Sequence, residues 1–371
     1  MLTAGGVRNV RQYTDRKRLV IGGFALAYAE RLRAAGGCPR PAQEGTFLRQ
    51  DPEISKYVLQ TMLMEAHVRL LLHTMACAVR LEGDRLDAVL VENKSGRQAI
   101  RAHVTVDATG DGDVIAYADA AFEKAADRLQ PMTLTFTAGG IAFWPNGFHD
   151  EARRRIEAAL QNGTFPCPKK PGIFALERPG EYYFNATRVA GDATHAESLT
   201  HAELEGRRQV MDLLDWLRRN VPGCERLYLI QTAPQIGLRE SRRLKGLVTL
   251  TRVDVVEGRE FEDGIARNAY GIDLHDPNGP GGEMTHLESG RSYTIPYRCL
   301  VPETRDGLLA AGRCLSADHE ALGSTRVMAA CMAIGQAAGV AAALCARQQI
   351  EPRHLDPKTL RRSLLNQGAI L

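Results

Sequence analysis

The spacing of apolar residues predicts two helices and one buried strand in the N-terminal part of the chain. Apolar residues recur at helical spacing from Leu19 to the glycine pair at positions 36 and 37, which predicts an amphipathic helix. Asp51 followed by Pro52 is typical of the capping residue and first residue of a second helix. The apolar residues 68–72 that come next are predicted to form a short buried strand.

Alternation of apolar and polar residues then predicts an antiparallel meander. Residues 75–81, 86–92 and 97–101 have the pattern of strands, and turn residues separate them. Residues 104–108 form a further apolar strand, which is followed by Thr109-Gly110-Asp111. Gly110 allows the backbone to approach a ligand closely, although a plain turn at a strand end has the same pattern.

The middle part of the chain is predicted to form a second domain, and the C-terminal part is predicted to complete the first domain. Strands are predicted at 132–136 and 181–186, a long helix at 201–220 and another strand at 308–311. A polar loop at 316–324 then leads to a helix of small residues that starts near Thr325. Because Gly335 and Gly339 lie one turn apart there, we expect this helix to pack closely on a sheet. We expect one domain of residues 1–121 with 304–371, and an inserted α+β domain of residues 122–303.

Composition and charge give no support to a nucleic-acid partner, a membrane partner or an iron–sulfur cluster. The 47 basic and 44 acidic residues give a net charge of only +3, which does not support nucleic-acid binding. The eight cysteines include no CxxC pair, which indicates reduced thiols and no iron–sulfur cluster. Residues 327–345 are apolar but rich in alanine and contain Gln336, which favours a buried helix over a membrane span. We expect a cytoplasmic protein that binds a small-molecule substrate, with neither a nucleic-acid nor a membrane partner.

Two motifs carry a resemblance to a known family. Residues 310–328 read AAGRCLSADHEALGSTRVM, and the meander leads into a strand that ends in Ala108-Thr109-Gly110. In both respects the chain resembles the FAD-dependent oxidoreductases of glutathione-reductase-like fold, above all the group related to the flavin module of heterodisulfide reductase. The resemblance implies an α/β fold: an FAD/NAD(P)-binding domain with a parallel sheet and an antiparallel meander, and an inserted α+β substrate domain. It also implies FAD as the cofactor.

One part of the family pattern is not found. Such proteins carry GxGxxG in a βαβ unit that binds the pyrophosphate, and the chain contains no such spacing. Its opening segment LTAGGV resembles the part of the family that follows this unit. We therefore expect that one βαβ unit is missing and that the chain as it stands retains little FAD. The lack of a second GxGxxG gives no support to a nicotinamide cofactor.

The resemblance also assigns residues to the cofactor. By this resemblance, the strand end at 108–110 lies against the ADP half. The loop after 308–311 passes the pyrophosphate and flavin, and the start of the last of these helices faces the flavin pyrimidine edge. Asp318, with Glu320 as its rival, comes near the ribityl chain. For Arg313 and Arg326 the alternative is a surface ion pair. The assigned set is Thr3, Ala4, Gly5, Ala108, Thr109, Gly110, Asp111, Gly312, Arg313, Asp318, Ser324, Arg326, Val327 and Met328.

Six further residues are candidates for substrate binding or proton transfer. Arg239 and Arg242 lie in the segment GLRESRR, whose guanidinium groups suit an anionic substrate, with local ion pairs to a neighbouring glutamate as the alternative. His275 and His319 can exchange the proton that accompanies hydride transfer. The resemblance suggests that Tyr297 and Arg298 line the substrate cavity.

These assignments lead to two candidate functions. The first is an FAD-dependent oxidoreductase that transfers a hydride between flavin and a small organic substrate, for which an anionic group is compatible. The second is a truncated, non-catalytic protein of the same fold that binds no FAD and acts as a ligand- or partner-binding module. A redox partner or a second copy of the chain is compatible with either function.

Overall fold

The computed structural model describes residues 4–42, 47–125, 128–142, 148–277, 279 and 281–371. The helices are α1 Gly23–Ala34, α2 Pro52–Glu65, α3 Asp113–Tyr117, α4 Phe148–Gln161, α5 Ala196–Asn220, α6 Arg252–Glu257, α7 His319–Thr325, α8 Met328–Gln348 and α9 Pro357–Asn366. The strands are β1 Asn9–Arg11, β2 Phe47–Arg49, β3 Met75–Glu82, β4 Arg85–Asn93, β5 Gly96–Arg101, β6 Thr105–Asp107, β7 Phe122–Glu123, β8 Phe136–Gly139, β9 Gly172–Ala175, β10 Tyr182–Asn185, β11 Tyr228–Thr232, β12 Arg243–Leu244, β13 Gly264–Asn268, β14 Ile272–His275, β15 Gly282–Thr285, β16 Tyr293–Pro296 and β17 Leu308–Ala310.

The chain folds into two compact units. The smaller unit comprises Met1–Arg8, Ala126–Glu240 and His275–Glu283, and the larger unit comprises Asn9–Ala125, Ser241–Leu274 and Met284–Leu371. This division differs from the predicted limits, since residues 241–274 and 284–303 belong to the larger unit. The physical reason is strand pairing, because β13 pairs with β16 and buries Ile265 and Ile295 in the core of the larger unit. A substrate-binding role for the smaller unit stays a prediction.

The larger unit is built around α8. Ile334 and Ala337 lie on the buried face of this helix and pack in one core with Leu309 of β17. Strand β17 runs parallel to β6, so that Ala310 lies opposite Asp107. The carboxyl ends of both strands therefore meet at one edge of the sheet. The parallel pair, together with antiparallel sheets and helices, confirms the predicted α/β fold class.

The predicted meander is also confirmed. Strand β4 pairs antiparallel with β3 on one side and with β5 on the other. Leu86 and Ala88 of β4 are fully buried, whereas every residue of β5 is exposed. Only the central strand of the meander therefore contributes fully buried side chains to the core.

The smaller unit has an antiparallel sheet with strand order β11-β8-β10-β9. Phe136 and Phe184 stack on one face with ring centroids 4.6 Å apart, in a core that includes Leu213 and Leu217 of α5. The predicted strand at 181–186 and helix at 201–220 correspond to β10 and α5, and the helix begins earlier, at Ala196. The predicted strand at 132–136 overlaps β8 only at Phe136, because Met132 and Thr133 form isolated bridges instead.

Helix α2 begins as its sequence predicts. Oδ1 of Asp51 accepts the backbone N–H groups of Glu53 and Ile54 at 2.8 and 3.1 Å, and Pro52 is the first helical residue. Such a cap satisfies N–H groups that have no partner within the helix, and its loss costs about 1 kcal/mol. The amphipathic helix predicted before positions 36 and 37 is α1.

Residues 68–72 do not form the predicted strand. They belong to no sheet of the described chain, and Val68 and Leu72 are 46% and 70% exposed. An apolar run becomes a buried strand only when a neighbouring strand satisfies its backbone and a packed layer covers its side chains. The described residues supply neither for this segment, so this prediction is wrong.

Two predictions about the C-terminal segment are also wrong. The polar loop predicted at 316–324 contains α7, because Asp318 accepts the backbone N–H of Ala321 and so caps a helix. Gly335 and Gly339 do not mediate close packing, since a Cβ added to either would meet nothing within 4 Å. The close approach of α8 rests on its buried alanines instead.

Among the described helices, α8 alone is long and apolar enough to cross a membrane. In its most apolar window 44% of the residues are buried within the protein. Its contribution to the core of the larger unit agrees with the expected buried helix, and a cytoplasmic location stays a prediction.

Candidate functional site

A buried carboxylate holds the turn after β6. Oδ1 of Asp107 accepts hydrogen bonds from the backbone N–H and the hydroxyl of Thr109 at 3.0 and 2.7 Å. Its Oδ2 accepts the backbone N–H of Ile115 at 2.9 Å, which ties α3 to the strand end. Asp107 is only 1% exposed, so these bonds satisfy a carboxylate that water cannot reach. They fix a turn on which Ala108 and Thr109 remain exposed.

Gly110 allows an arginine to lie against this turn. Its φ of +82° is in the left-handed region that favours glycine. A Cβ at Gly110 would lie 2.5 Å from Nη2 of Arg313. Arg313 comes close because the backbone N–H of Ala311, just after β17, donates to the carbonyl of Asp107 at 2.8 Å. The glycine therefore makes room for a guanidinium group.

Most of the hydrogen-bonding capacity of Arg313 is unused, although its side chain is only 8% exposed. Its Nη1 donates to Oδ1 of Asp111 at 3.1 Å. Nε and Nη2 have no hydrogen-bond partner in the part of the chain that the structure describes. These two nitrogens form the side of a guanidinium group that binds carboxylate or phosphate through two parallel hydrogen bonds. Arg313 therefore forms an ion pair with the partly buried Asp111, as the alternative has it, but this pair occupies only one of its nitrogens.

Asp111 is surrounded by two further polar side chains. Oγ of Ser241 donates to its Oδ1 at 2.7 Å, and Nη1 of Arg242 donates to its carbonyl at 3.2 Å and to Oδ1 of Asp113 at 2.9 Å. Burial, followed by the charge of Asp111, raises the pKa of Asp113 above its ordinary value, although Arg242 opposes the shift. We call the following residues the Arg313 cluster: Asp107, Gly110, Asp111, Asp113, Ser241, Arg242 and Arg313.

The N-terminus of α8 is a second place that favours negative charge. Val327 is its capping residue, and within the described residues no side chain accepts the backbone N–H groups of the first turn. The preceding Arg326 donates from Nη2 to the carbonyl of Asp273 at 2.7 Å, while its buried Nε has no partner among the described residues. Met328 is the first helical residue and is partly buried.

Ser324, which was also assigned to the cofactor, lies in a fully bonded buried network. Its hydroxyl oxygen is 2.6 Å from the hydroxyl of Tyr293, and it donates to the carbonyl of Tyr270 at 2.5 Å. Nδ2 of Asn268 donates to the Tyr293 hydroxyl at 2.8 Å and to the Ser324 carbonyl at 3.1 Å. Burial raises the pKa of Tyr293 above its ordinary value. We call Asn268, Tyr270, Tyr293 and Ser324 the Ser324 network.

Asp318 and Glu320, the residues predicted near the ribityl chain, lie at the start of α7 in the structure. Besides the N–H of Ala321, the Asp318 carboxylate accepts the backbone N–H of Arg252 at 2.8 Å. Both oxygens of Asp318 therefore bind backbone groups of the larger unit. Glu320 lies in the first turn of α7, directly after His319.

The two candidate arginines of GLRESRR have different local partners. Nη1 of Arg239 donates to the carbonyl of Pro131 at 2.6 Å and to the hydroxyl of Thr133 at 2.7 Å, within the smaller unit. Arg242 belongs to the Arg313 cluster of the larger unit. Oε2 of Glu240, the neighbouring glutamate, accepts the backbone N–H of Gln130 at 3.1 Å.

The other substrate candidates also have identifiable contacts. Nδ1 of His275 is 3.4 Å from Nη2 of Arg188 in the smaller unit. Tyr297 is buried in the core of the larger unit and donates its hydroxyl to the carbonyl of Pro352 at 2.9 Å. Arg298 binds both carboxylate oxygens of Asp263, at 2.9 and 3.1 Å. The contacts of Tyr297 and Arg298 are those of structural residues.

The N-terminal residues assigned to the cofactor lie along the sheet of the smaller unit. The carbonyl of Ala4 accepts the backbone N–H of Gln235 at 3.1 Å, and that of Gly5 accepts the hydroxyl of Thr135 at 3.0 Å. Thr3 lies outside the described residues. Ala4 and Gly5 thus belong to another unit than the Arg313 cluster.

Sequence reasoning missed three members of the Arg313 cluster: Asp107, Asp113 and Ser241. A signal was present, since aspartates at 107, 111 and 113 are interspersed with glycines around the strand end. The meeting of Asp111 with Ser241 could not be inferred, because 130 residues separate them along the chain.

Comparison with known proteins gives one family match. Residues 1–364 match the model of the family described as FAD dependent oxidoreductase. None of the curated proteins matches the chain.

Several solved structures are similar at low sequence identity. The flavin-dependent brominase Bmp2 is 12% identical, over 96% of this chain and 75% of that one, with a TM-score of 0.46. A geranylgeranyl bacteriochlorophyll reductase-like protein from Thermoplasma acidophilum is 11% identical, over 98% of this chain and 76% of that one, with a TM-score of 0.43. Anhydrotetracycline hydroxylase OxyS from Streptomyces rimosus is 12% identical, over 67% of this chain and 50% of that one, with a TM-score of 0.38. The chain thus spans half to about three quarters of the lengths of these proteins.

Proposed function

Because the chain belongs to the family of FAD-dependent oxidoreductases, we propose that it binds FAD at the turn after β6 and transfers a hydride between the flavin and a small organic substrate. This proposal departs from the expectation that the chain as it stands retains little FAD. The observation that carries the proposal is the buried Arg313 guanidinium, whose Nε and Nη2 have no partner among the described residues. A buried cation with two free parallel donors is suited to a phosphate group. The pyrophosphate of FAD supplies such a group.

The residues present fit FAD at two places in the larger unit. The exposed turn residues Ala108 and Thr109 would hold the ADP half, and Arg313 would hold the pyrophosphate. The uncapped first turn of α8, with the free Nε of Arg326, would hold the pyrimidine edge. Both places carry donors and positive charge, which match the negative charges of the cofactor.

When bound, FAD supplies the group that accepts or donates the hydride. The residues of the chain bind and orient this group and set its electrostatic surroundings. The positive end of the α8 dipole and the Arg326 guanidinium would stabilise negative charge on a bound flavin ring.

For the accompanying proton we propose His319 rather than His275. His275 belongs to the smaller unit, where its Nδ1 lies 3.4 Å from Nη2 of Arg188. His319 is partly buried at the start of α7 and belongs to the same unit as the Arg313 cluster. We propose an anionic substrate on the density of guanidinium groups in GLRESRR, the segment that contains Arg239 and Arg242.

The proposal is tested by equilibrium titration of FAD into the wild-type protein and the Arg313→Lys variant, followed by flavin fluorescence. Lysine keeps the charge but cannot offer two parallel hydrogen bonds, so we expect Kd to rise about tenfold or more. Arg298→Lys is the matched control, because Arg298 forms an ion pair with Asp263 outside the cluster. Equal affinity of the wild type and Arg313→Lys would contradict FAD binding at this turn.

Anaerobic mixing with small carboxylic acids then separates the two candidate functions. Bleaching of the flavin visible band by one of these compounds supports hydride transfer to FAD. If the protein binds these compounds but does not bind FAD and shows no hydride transfer, it would instead be the non-catalytic ligand-binding module.

A further inference from the structure

We infer that Asp111 is the positioning residue that sets the binding edge of Arg313, and this inference rests on the proposed function. An isolated guanidinium group can present either its Nη1–Nη2 end or its Nε–Nη2 side to an anion. In this structure Oδ1 of Asp111 binds Nη1 at 3.1 Å and leaves the Nε–Nη2 side without a partner among the described residues. Asp111 therefore selects the side that remains available.

Asp111 can act in this way because it is itself held from two directions. Ser241 donates to the same Oδ1 at 2.7 Å, and Arg242 donates to the backbone carbonyl of Asp111 at 3.2 Å. Ser241 and Arg242 come from the chain just before β12, far from Asp111 in sequence. Contacts from a separate segment of the chain therefore hold Asp111 in place, independently of its bond to Arg313.

The turn itself limits the other positions open to Arg313. Nη2 would be 2.5 Å from a Cβ on Gly110, so this nitrogen already lies against the turn backbone. Nη1 is bound to Asp111 and Nη2 lies over Gly110. These two contacts restrict rotation of the Arg313 guanidinium group. Nε would be 3.2 Å from the same Cβ, so the Nε–Nη2 side borders the turn that carries the exposed residues Ala108 and Thr109.

Two possible roles of Asp111 predict opposite effects of its removal on anion binding, which makes the inference testable. If Asp111 served only as a nearby negative charge, removing that charge would strengthen the binding of an anion. If Asp111 positions Arg313, replacing the carboxylate by an amide weakens the bond to Nη1, because charge-assisted hydrogen bonds are roughly twice as strong as neutral ones. The two roles therefore predict changes of opposite sign.

The experiment titrates FAD and, separately, inorganic pyrophosphate into the full chain and its Asp111→Asn and Ser241→Ala variants. We expect Kd for both ligands to rise about tenfold in Asp111→Asn and less in Ser241→Ala, since serine acts through the carboxylate. Asp263→Asn is the matched control, because Asp263 also pairs with an arginine, Arg298, outside the cluster. Unchanged or tighter binding in Asp111→Asn would overturn the inference.

A measurement without ligand separates this inference from the proposed function. With 15N-labelled arginine, the Nε–H signal of Arg313, assigned by its loss in Arg313→Lys, should be sharp in the wild type and broadened in Asp111→Asn and Ser241→Ala. It should be unaffected by Asp263→Asn. If the wild type binds no FAD, the proposed function fails and this signal alone decides the role of Asp111. If Arg313→Lys loses FAD affinity while Asp111→Asn keeps both affinity and signal, only the role of Asp111 is wrong.

Discussion

The Arg313 cluster and the Ser324 network are both polar groups of the larger unit that contain buried side chains. They differ in how many of their hydrogen-bond donors have a partner. In the Ser324 network the hydroxyl groups of Tyr293 and Ser324 and the Asn268 Nδ2 bind one another or backbone carbonyls. In the Arg313 cluster the guanidinium group keeps two nitrogens without a partner among the described residues. The family resemblance assigned Arg313 and Ser324 alike to the cofactor. The difference teaches that unused hydrogen-bonding capacity, more than burial, marks the place suited to a ligand.

The comparison implies opposite consequences of substitution. A satisfied buried network contributes to the free energy of unfolding, because removing one member leaves its partners without hydrogen bonds. A site with unused donors contributes to binding and little to folding. A substitution in the Ser324 network should therefore change the free energy of unfolding, and one in the Arg313 cluster should change FAD affinity.

The largest effect is expected from Asn268→Leu in the Ser324 network. Leucine has a similar size, but it leaves the buried hydroxyl groups of Tyr293 and Ser324 without the amide donor. We expect the free energy of unfolding to fall by about 3 kcal/mol, measured by urea denaturation. The control is Asn220→Leu at the exposed end of α5, which should change it by less than about 0.5 kcal/mol. A loss as small as that of the control would show that the network does not stabilise the fold.

The next effect is expected from Gly110→Ala in the Arg313 cluster. The left-handed conformation costs alanine about 1 kcal/mol, and the new Cβ would displace the Arg313 guanidinium. Gly96→Ala is a matched control, because its φ is +91° and its Cβ would meet nothing within 4 Å. Both variants should lose similar stability in urea, but only Gly110→Ala should lose FAD affinity in the titration. Equal affinities in the two variants would separate Gly110 from the binding site.

The smallest effect concerns the pH dependence of stability at Asp113. Burial and the charge of Asp111 raise its pKa in the folded protein, so the folded state holds this proton more tightly than the unfolded chain. Its contribution is therefore present below the ordinary aspartate pKa and is lost as the pH rises through the folded pKa. Asp113→Asn should remove this fall with pH, measured as unfolding free energy at successive pH values.

Asp254 provides the contrasting control for that series. Burial alone would raise its pKa, but hydrogen bonds from Thr251 and Arg259 outweigh burial and lower it. Its contribution is present above the ordinary aspartate pKa and is lost as the pH falls. The difference between wild type and variant should therefore change with pH in opposite directions for Asp113→Asn and Asp254→Asn. The same direction in both would contradict the role given to burial at Asp113.

The two apolar runs at 308–311 and 68–72 show how far the sequence predicts the fold. The first becomes β17 because β6 lies beside it and α8 covers it. The second has the same local pattern, but it remains exposed without a neighbouring strand among the described residues. Local periodicity predicts that a segment can form a strand, whereas pairing depends on segments far away in the chain.

The same limit applies to the candidate site. Arg313 and Asp111 could be identified from their motifs, because each follows a strand whose carboxyl end faces one edge of the sheet. Ser241 could not, since only the folded chain brings it to Asp111. Conversely, Asp318 and Ser324 match the family pattern, but their oxygens bind backbone and side-chain groups of the fold. Residue type and spacing do not show which polar groups are already satisfied.

The central claim is that Arg313 serves binding while the Ser324 network serves folding, and one thermal-unfolding experiment tests both. Wild type, Arg313→Lys and Tyr293→Phe are melted with and without excess FAD, because a ligand that binds only the folded state raises the melting temperature. We predict that Arg313→Lys melts close to the wild type without FAD and loses most of the FAD-dependent rise. Tyr293→Phe should melt lower and keep the rise in full. A full rise in Arg313→Lys, or a lost rise in Tyr293→Phe at unchanged stability, would contradict the account.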